Sequence, residues 1–375
     1  MSSTQTSDIR RVVVRGTNWV GDCVMTIPAL RALRRLLPNA HITLVVKPGV
    51  AQLFETANVV DEIIRYDRRN VLSVFSQVRE WRRHQFQLAI LFQNAFEAAV
   101  IPFLAGVPLR LGYATEGRQK LLNHPLMVPD WKNEKHEVFY YLYLIAALEQ
   151  SLYGTNKILD TDPDATIEVS EKKKSEARKF LEAFGSVSKK GVVALCPGSI
   201  NSRAKRWPAE RFAALADRLI ESERTVLLIG SPAETDVSDL VLRTMQHKPI
   251  VLTGKTNLDQ ITSIISLADL LVTNDTGPAH IAAALSTPTI TIFGPTNPST
   301  TRPFSLHAEV LRHPPDCAPC MLRDCPIDHR CMTAITVDEV FDHALAILKR
   351  RSFSNTVRSL CDSVAEPYDP TSCFH

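Results

Sequence analysis

Residues 195–208 read LCPGSINSRAKRWP. The stretch follows an apolar run, Gly191 to Leu195 (GVVAL), with the character of a short buried strand. It precedes Ala209 to Ile220, where Phe212, Leu215, Ala216 and Leu219 recur at helical spacing. It is therefore a strand-to-helix loop. Pro197-Gly198 turns the chain, Ser199, Asn201 and Ser202 supply small polar side chains, and Arg203, Lys205 and Arg206 add positive charge. Outward backbone amides and cations at a helix N-terminus suit a bound phosphate. Taken alone, the same residues also fit a solvated surface loop, so the surrounding chain has to decide.

The alternation extends in both directions. Upstream, 11–15, 41–46 and 87–92 read as strands, and 23–36, 71–83 and 95–105 as helices. Downstream, strands are expected at 192–195, 225–229, 250–252, 270–273 and 289–293, with helices between them and a last helix at 337–349. Short strands separated by helices predict βαβ units and parallel sheets. The acidic, turn-rich Asp160-Thr161-Asp162-Pro163-Asp164 and the charged Glu171-Lys172-Lys173-Lys174 mark a join. We expect two doubly wound α/β domains, 1–170 and 171–350, facing each other across a cleft, with ligands at the carboxyl ends of the strands. A poorly ordered tail is expected over 351–375.

Charge narrows the partners. The 375 residues carry 43 Lys and Arg against 40 Asp and Glu, a net +3, which argues against wholesale nucleic-acid binding. Residues 1–130 hold 16 basic against 10 acidic side chains, a local +6. Three clusters contribute: Arg10, Arg11 and Arg15; Arg31, Arg34 and Arg35; Arg79, Arg82 and Arg83. An anionic acceptor or membrane surface would be drawn to that half. Residues 1–8 are polar and carry no secretory signal, and the apolar stretch 98–109 holds two prolines and a glycine. A cytosolic protein with its eight cysteines reduced is expected.

Three more strand-end loops carry unusual residues. In Gly16 to Asp22 (GTNWVGD), the glycines have phosphate-loop spacing, but Asp22 stands where that motif needs Lys. A carboxylate there suits a general base aimed at an acceptor hydroxyl, or a helix cap. In GSPAE (230–234), Glu234 suits ribose hydroxyls, or a first-turn acid favoured by the helix dipole. In NDTGPAH (274–280), Gly277-Pro278 opens a helix, so the amides of Thr276 and Gly277 form a second diphosphate seat. Asp275 and His280 flank it as candidates for sugar or ribose hydroxyls. No dinucleotide fingerprint follows any strand, and no serine nucleophile elbow is present.

These loops together resemble glycosyltransferase family 9, the ADP-heptose:lipopolysaccharide heptosyltransferases, and within it the heptosyltransferase II branch. The matching pieces are NWVGDCVMTIPAL (18–30), FQNAFEAAVIPFLAGVPLRLGY (92–113), PGSINSRAKRWP (197–208), LIGSPAE (228–234), NDTGPAHIAAAL and TIFGPTNP (within 274–298). The resemblance implies a GT-B architecture of two Rossmann-like domains, with acceptor on the first and donor mainly on the second. It implies inverting, metal-independent transfer of heptose from ADP-heptose to the first heptose of the lipopolysaccharide inner core (heptosyl-Kdo2-lipid A). No cofactor is implied, and peripheral contact with the inner membrane is compatible with it. Asp22 falls on the family's acidic catalytic residue and Lys205 on its diphosphate-binding lysine. Glu234 falls on its ribose-binding glutamate. Asp275, Thr276, Gly277 and His280 fall on its donor loop, and Thr256 (in GKTNL) on a position near the adenine.

Two features lie outside that pattern. Cys317, Cys320, Cys325 and Cys331 form C-x2-C-x4-C-x5-C, with His313 and His329 nearby, which suggests structural zinc or simply reduced cysteines in a loop. Asp160, Asp162 and Asp164 repeat at the spacing some glycosyltransferases use for a metal, but in linker-like composition. The competing functions are another sugar or acceptor, a sugar-nucleotide epimerase, and a non-catalytic sugar-nucleotide-binding protein. Retention of both Asp22 and Lys205 argues against the last.

Overall fold

The structure, a computed structural model, describes residues 9–364. Its first part runs β1 (Arg11–Arg15), α1 (Val20–Leu36), β2 (His41–Val46), α2 (Pro48–Ala57), β3 (Glu62–Arg65), α3 (Val71–His84), β4 (Leu88–Leu91), α4 (Phe96–Ala105), β5 (Leu109–Tyr113), β6 (His124–Leu126) and α5 (Glu137–Tyr153). The second runs α6 (Glu171–Glu182), β7 (Val192–Cys196), α7 (Ala209–Glu221), β8 (Thr225–Leu228), α8 (Thr235–Thr244), β9 (Ile250–Val251), α9 (Leu258–Leu267), β10 (Leu270–Asn274), α10 (Gly277–Ala284), β11 (Thr289–Ile292), α11 (Pro298–Thr301), β12 (Ala308–Leu311), α12 (Arg330–Thr333) and α13 (Val337–Val364).

The strands build two six-stranded sheets, β3-β2-β1-β4-β5-β6 and β12-β11-β10-β7-β8-β9, every pair parallel. Each has the Rossmann order, reversing direction between β1 and β4 in one sheet and between β7 and β10 in the other. The central strands are apolar on both faces because helices cover both: β7 (VVALC) and β4 (LAIL) are buried throughout.

The expected strands and helices are present, and several elements pass unmarked in the sequence. The strands β3 (EIIR) and β12 (AEVL) lie at sheet edges and are only partly buried, so their apolar runs are short and interrupted by charge. Helix α5 is buried on most of its circumference, so it shows no one-sided stripe. The last helix continues through the start of the expected tail to Val364, and residues 365–375 lie outside the described ones.

One continuous apolar core joins the two sheets' helices. It contains Leu30 and Leu33 of α1, Ile145 of α5, and Ile281 and Ala284 of α10. Backbone pairing adds to it: the amide of Ile167 donates to the Ala284 carbonyl at 2.7 Å. The connecting segment is clamped by Arg31, which donates to the carbonyls of Asp164 (3.0 Å) and Thr166 (2.7 Å) and forms an ion pair with the Asp164 carboxylate. The repeated aspartates of the join therefore sit away from any strand end, and Asp164 is occupied by Arg31 and Thr166.

Candidate active site

A cleft of about 580 Å3 opens between the carboxyl ends of the two sheets. Asp22, Ser199, Asn201, Lys205, Glu234, Thr256, Asp275, Thr276, Gly277 and His280 all line it. Ser202 does not: it is buried, and its hydroxyl donates to the carbonyls of Leu322 (3.3 Å) and Arg323 (3.1 Å). It fixes the loop to the segment that carries the cysteines.

Two helices meet head-on here. α1 and α10 open after the N-caps Trp19 and Thr276, and neither N-cap side chain bonds the helix's own amides. In α10, Pro278 has no N–H and the Ala279 amide donates to the Thr276 carbonyl at 3.1 Å, which leaves the Gly277 amide at the helix's positive end. Glycines permit the approach. A Cβ on Gly277 would lie 2.9 Å from Val20 Cβ, and one on Gly21 would lie 2.9 Å from His280 Cδ2. Asp22 is in the first turn of α1 and makes no side-chain hydrogen bond among the described residues. Burial, reinforced by the Glu137 carboxylate, pushes its pKa up to about 6, while Lys132 and Lys205 pull the other way.

On the opposite wall, Lys205 Nζ lies 2.7 Å from Asp275 Oδ2, and Thr296 donates to the same oxygen at 2.7 Å. Asp275 therefore orients the lysine through Oδ2, and it lines the cleft as well. Glu234 splits its duties. Its Oε2 accepts from the amide and hydroxyl of Ser231, both at 2.8 Å, which caps the helical turn. Its Oε1 lies against Gly198, where any Cβ would collide with it, and Glu234 lines the cleft. Both readings of Glu234, cap and ligand contact, are therefore compatible. His280 is buried, Nδ1 has no partner, and burial lowers its pKa to about 4, so the ring is neutral at pH 7.

Asn274 was not singled out by the sequence, although it stands at the head of the fourth loop. Fully buried at the switch point, it accepts from the Trp207 amide (3.0 Å) and donates to the carbonyls of Pro197 (2.9 Å) and Gly198 (3.2 Å). It stitches together the loops after β7 and β10. On the first sheet, the loops after the adjacent strands β1 and β4 bring two buried amide oxygens, Asn18 Oδ1 and Gln93 Oε1, neither of which has a protein partner. None of the nine arginines in the three sequence clusters lines the cleft. Arg15 is buried and donates to the Val45 carbonyl at 3.1 Å, Arg34 pairs with Asp61, and Arg79, Arg82 and Arg83 face outward on α3.

Cys317, Cys320 and Cys325 lie on the irregular segment between β12 and α12, and Cys331 is buried in α12. Among the described residues, no group of three or more His, Cys, Asp or Glu side chains is arranged to hold a metal ion. The segment instead braces the loop after β7. The Ala204 amide donates to the Arg323 carbonyl at 2.9 Å, His329 Nε2 lies 2.6 Å from the Ala204 carbonyl, and Met321 reaches the cleft.

A model of glycosyltransferase family 9 (heptosyltransferase) matches residues 74–330. The chain belongs to glycosyltransferase family 9. Among the relatives of this glycosyltransferase, the lipopolysaccharide heptosyltransferase 2 of Escherichia coli is 29% identical over 313 residues, spanning 80% of this chain and 88% of that one. The lipooligosaccharide heptosyltransferase 2 of Haemophilus influenzae is 28% identical over 318 residues, with the same coverage. The solved structure of E. coli ADP-heptose lps heptosyltransferase II superposes with a TM-score of 0.78 at 28% identity, covering 91% of this chain and 99% of that one. The two facing Rossmann-type units of the family 9 enzyme are the GT-B architecture.

Proposed function

We infer that this glycosyltransferase moves L-glycero-D-manno-heptose from ADP-heptose to the first heptose of a lipopolysaccharide inner core, with inversion at the anomeric carbon. The observation that carries the reading is Asp22. It is a carboxylate with its pKa raised to about 6, held in the first turn of α1 and facing the cleft whose other wall bears Lys205. A base poised near neutrality is useful for taking a proton from an attacking hydroxyl. Binding of a nucleotide alone needs no such base.

The acceptor oxygen attacks the anomeric carbon as its proton passes to Asp22. The bond from that carbon to the β-phosphate oxygen breaks, and the electron pair leaves with ADP. Lys205, the amides of Ser199 to Asn201 and those of Thr276 and Gly277 at the start of α10 meet the charge that develops on the diphosphate. Glu234 Oε1 and Thr256 serve the nucleoside end of the donor. On the acceptor side, Asn18 and Gln93 offer unpartnered oxygens to sugar hydroxyls, and Lys132, ion-paired with Glu137, stands near Asp22. We assign acceptor binding to the unit built on the first sheet, within residues 1–170, and donor binding to the unit built on the second, within 171–350. No described helix is long and apolar enough to cross a membrane. Work at the cytoplasmic face of the inner membrane, on a lipid-anchored acceptor, follows from the reading.

The test is ADP release from ADP-heptose, with and without heptosyl-Kdo2-lipid A, in the wild type and in Asp22→Asn. Acceptor-dependent release that collapses in the variant supports the assignment. Release independent of the acceptor, or undiminished in Asp22→Asn, overturns it.

A further inference from the structure

We propose that the outer face of α3 and α4 is a docking surface for an anionic phospholipid bilayer. The proposal rests on the preceding reading only in that a lipid-anchored acceptor gives such a surface a purpose. Its evidence is separate.

Helix α3 has its polarity reversed over the first two turns. It buries Gln77, Val78 and Trp81 against the sheet, while Val71, Leu72 and Phe75 stand 65%, 75% and 59% exposed. The outward stripe continues at helical spacing through Arg79, Arg82 and Arg83. On α4, Phe96, Phe103 and Leu104 are also exposed, at 51%, 45% and 39%. The two helices are neighbours: Arg82 Nη2 donates to the Leu104 carbonyl at 2.6 Å, and the Arg110 guanidinium sits 5.5 Å from the Phe103 ring centre. Six large apolar side chains therefore share one surface with a row of cations. Arg79 and Arg83 take part in no ion pair among the described residues, and Glu80, the acid on α3, is engaged by Gln77.

This is the pattern of an interfacial helix: apolar groups enter the acyl boundary and arginines meet anionic headgroups. Charge complementarity selects an anionic bilayer over a neutral one. Position selects it as well. In a βαβ unit the helix runs back along the sheet, so the N-terminus of each helix lies at the strands' carboxyl edge. The apolar end of α3, Val71 to Phe75, and Phe96 at the start of α4 therefore stand on the cleft side. Phe96 is two residues beyond Asn94, which accepts from Arg118 at the strand-end crevice (2.9 Å). A bilayer seated there would present a lipid-borne sugar to the crevice from its rim.

The experiment is vesicle flotation of the full-length protein, with phosphatidylcholine alone and with phosphatidylcholine plus phosphatidylglycerol. The wild type is expected to float with the anionic vesicles and to be released by added salt. Leu72→Ser/Phe75→Ser should lower the partition coefficient by about tenfold or more, and Arg79→Gln/Arg83→Gln by about tenfold. Both variants should keep wild-type kcat on a water-soluble, deacylated acceptor, which also certifies their fold. Equal partition of wild type and variants, or no flotation with anionic vesicles, overturns the proposal. So does a dimer, seen by sedimentation, that Leu72→Ser/Phe75→Ser dissociates without any change in flotation, because a second copy would then own the face. A wild type that floats as expected yet never transfers to the deacylated acceptor refutes the acceptor assignment and leaves the docking surface standing.

Discussion

Gly21 and His280, one from each sheet's unit, are packed so that a Cβ on Gly21 would lie 2.9 Å from His280 Cδ2. The contact fixes how closely the first turn of α1 approaches the start of α10, and Asp22 is the next residue. The neighbouring Gly277 meets Val20 in the same way. Gly21→Ala should push the two helix ends apart by tenths of an ångström, moving the carboxylate relative to the donor. We expect kcat to fall by about 10- to 100-fold, because sub-ångström misplacement of a reacting group is costly. Stability should drop by about 1–3 kcal/mol, the usual cost of overpacking. Steady-state kinetics with a urea titration separates the two effects. Unchanged kcat would show that this contact does not position Asp22.

Asp22 gives a pH profile with a defined sign. The base must be ionised, so kcat/KM should fall about tenfold per pH unit below about 6 and level off above it. The stability effect runs the other way. The folded-state pKa of about 6 exceeds the ordinary value of 3.8, so between pH 4 and 6 the folded state holds more protons than the unfolded one. Stability therefore declines as pH rises through that window. Asp22→Asn should abolish transfer while raising stability at pH 7 by about 1–3 kcal/mol. Thermal unfolding of both proteins at pH 4 and pH 7 checks this: the variant's advantage should exist at pH 7 and vanish at pH 4.

How much of this was legible beforehand depends on what each residue does. The parallel sheets followed from runs such as VVAL and LLVT, because a strand buried on both faces is apolar throughout. The cleft residues were visible where polar and glycine residues interrupted such runs, as at 199–205 and 274–280. Burial partners were not visible. Ser202 has the composition of a phosphate-loop serine, but its hydroxyl meets carbonyls more than a hundred residues away. Asp275 reads as a sugar ligand, and nothing in the spacing shows that Lys205 and Thr296 also meet its carboxylate. Arg15 and Arg34 look like surface cations in the chain, yet one is buried beside Tyr66 and the other is paired with Asp61. Long-range pairing fixes these roles, and sequence spacing does not encode it.

Asn274 makes a prediction that depends on no ligand. Its amide joins the loops after β7 and β10 with three buried hydrogen bonds, one accepted and two donated, and a hydroxyl or carboxylate of similar size cannot supply two donor hydrogens beside an acceptor. Asn274→Ala would leave the Trp207 amide and two carbonyls without this partner. We expect a loss of about 2–4 kcal/mol and a raised KM for the sugar nucleotide, since both diphosphate loops lose their common anchor. Asn274→Asp keeps the acceptor for Trp207 but sets a carboxylate against two carbonyls, and should be no better. A variant with wild-type stability would mean the loops are held elsewhere.

The Lys205–Asp275 pair separates catalysis from structure. Asp275 is 5% exposed, and its carboxylate is held by one ammonium and one hydroxyl. Lys205→Met should lower kcat by about 100- to 1,000-fold, the effect of removing one preorganised positive group from a leaving oxyanion. It should also destabilise the protein, because the buried carboxylate then lacks its counter-charge. Asp275→Asn should leave the lysine without its counter-charge and more loosely held, through the residue's backbone carbonyl (3.4 Å) and a neutral amide, giving a smaller kcat loss and a larger change in KM for the donor. In the double variant, stability should recover much of what Lys205→Met lost, since both charges are gone, whereas kcat should stay at the Lys205→Met level. A double variant that recovers activity would mean that Lys205 serves only to neutralise Asp275, and would remove it from the transition state. A double variant as unstable as Lys205→Met would show that the pair's worth lies in its geometry and not in its charge balance.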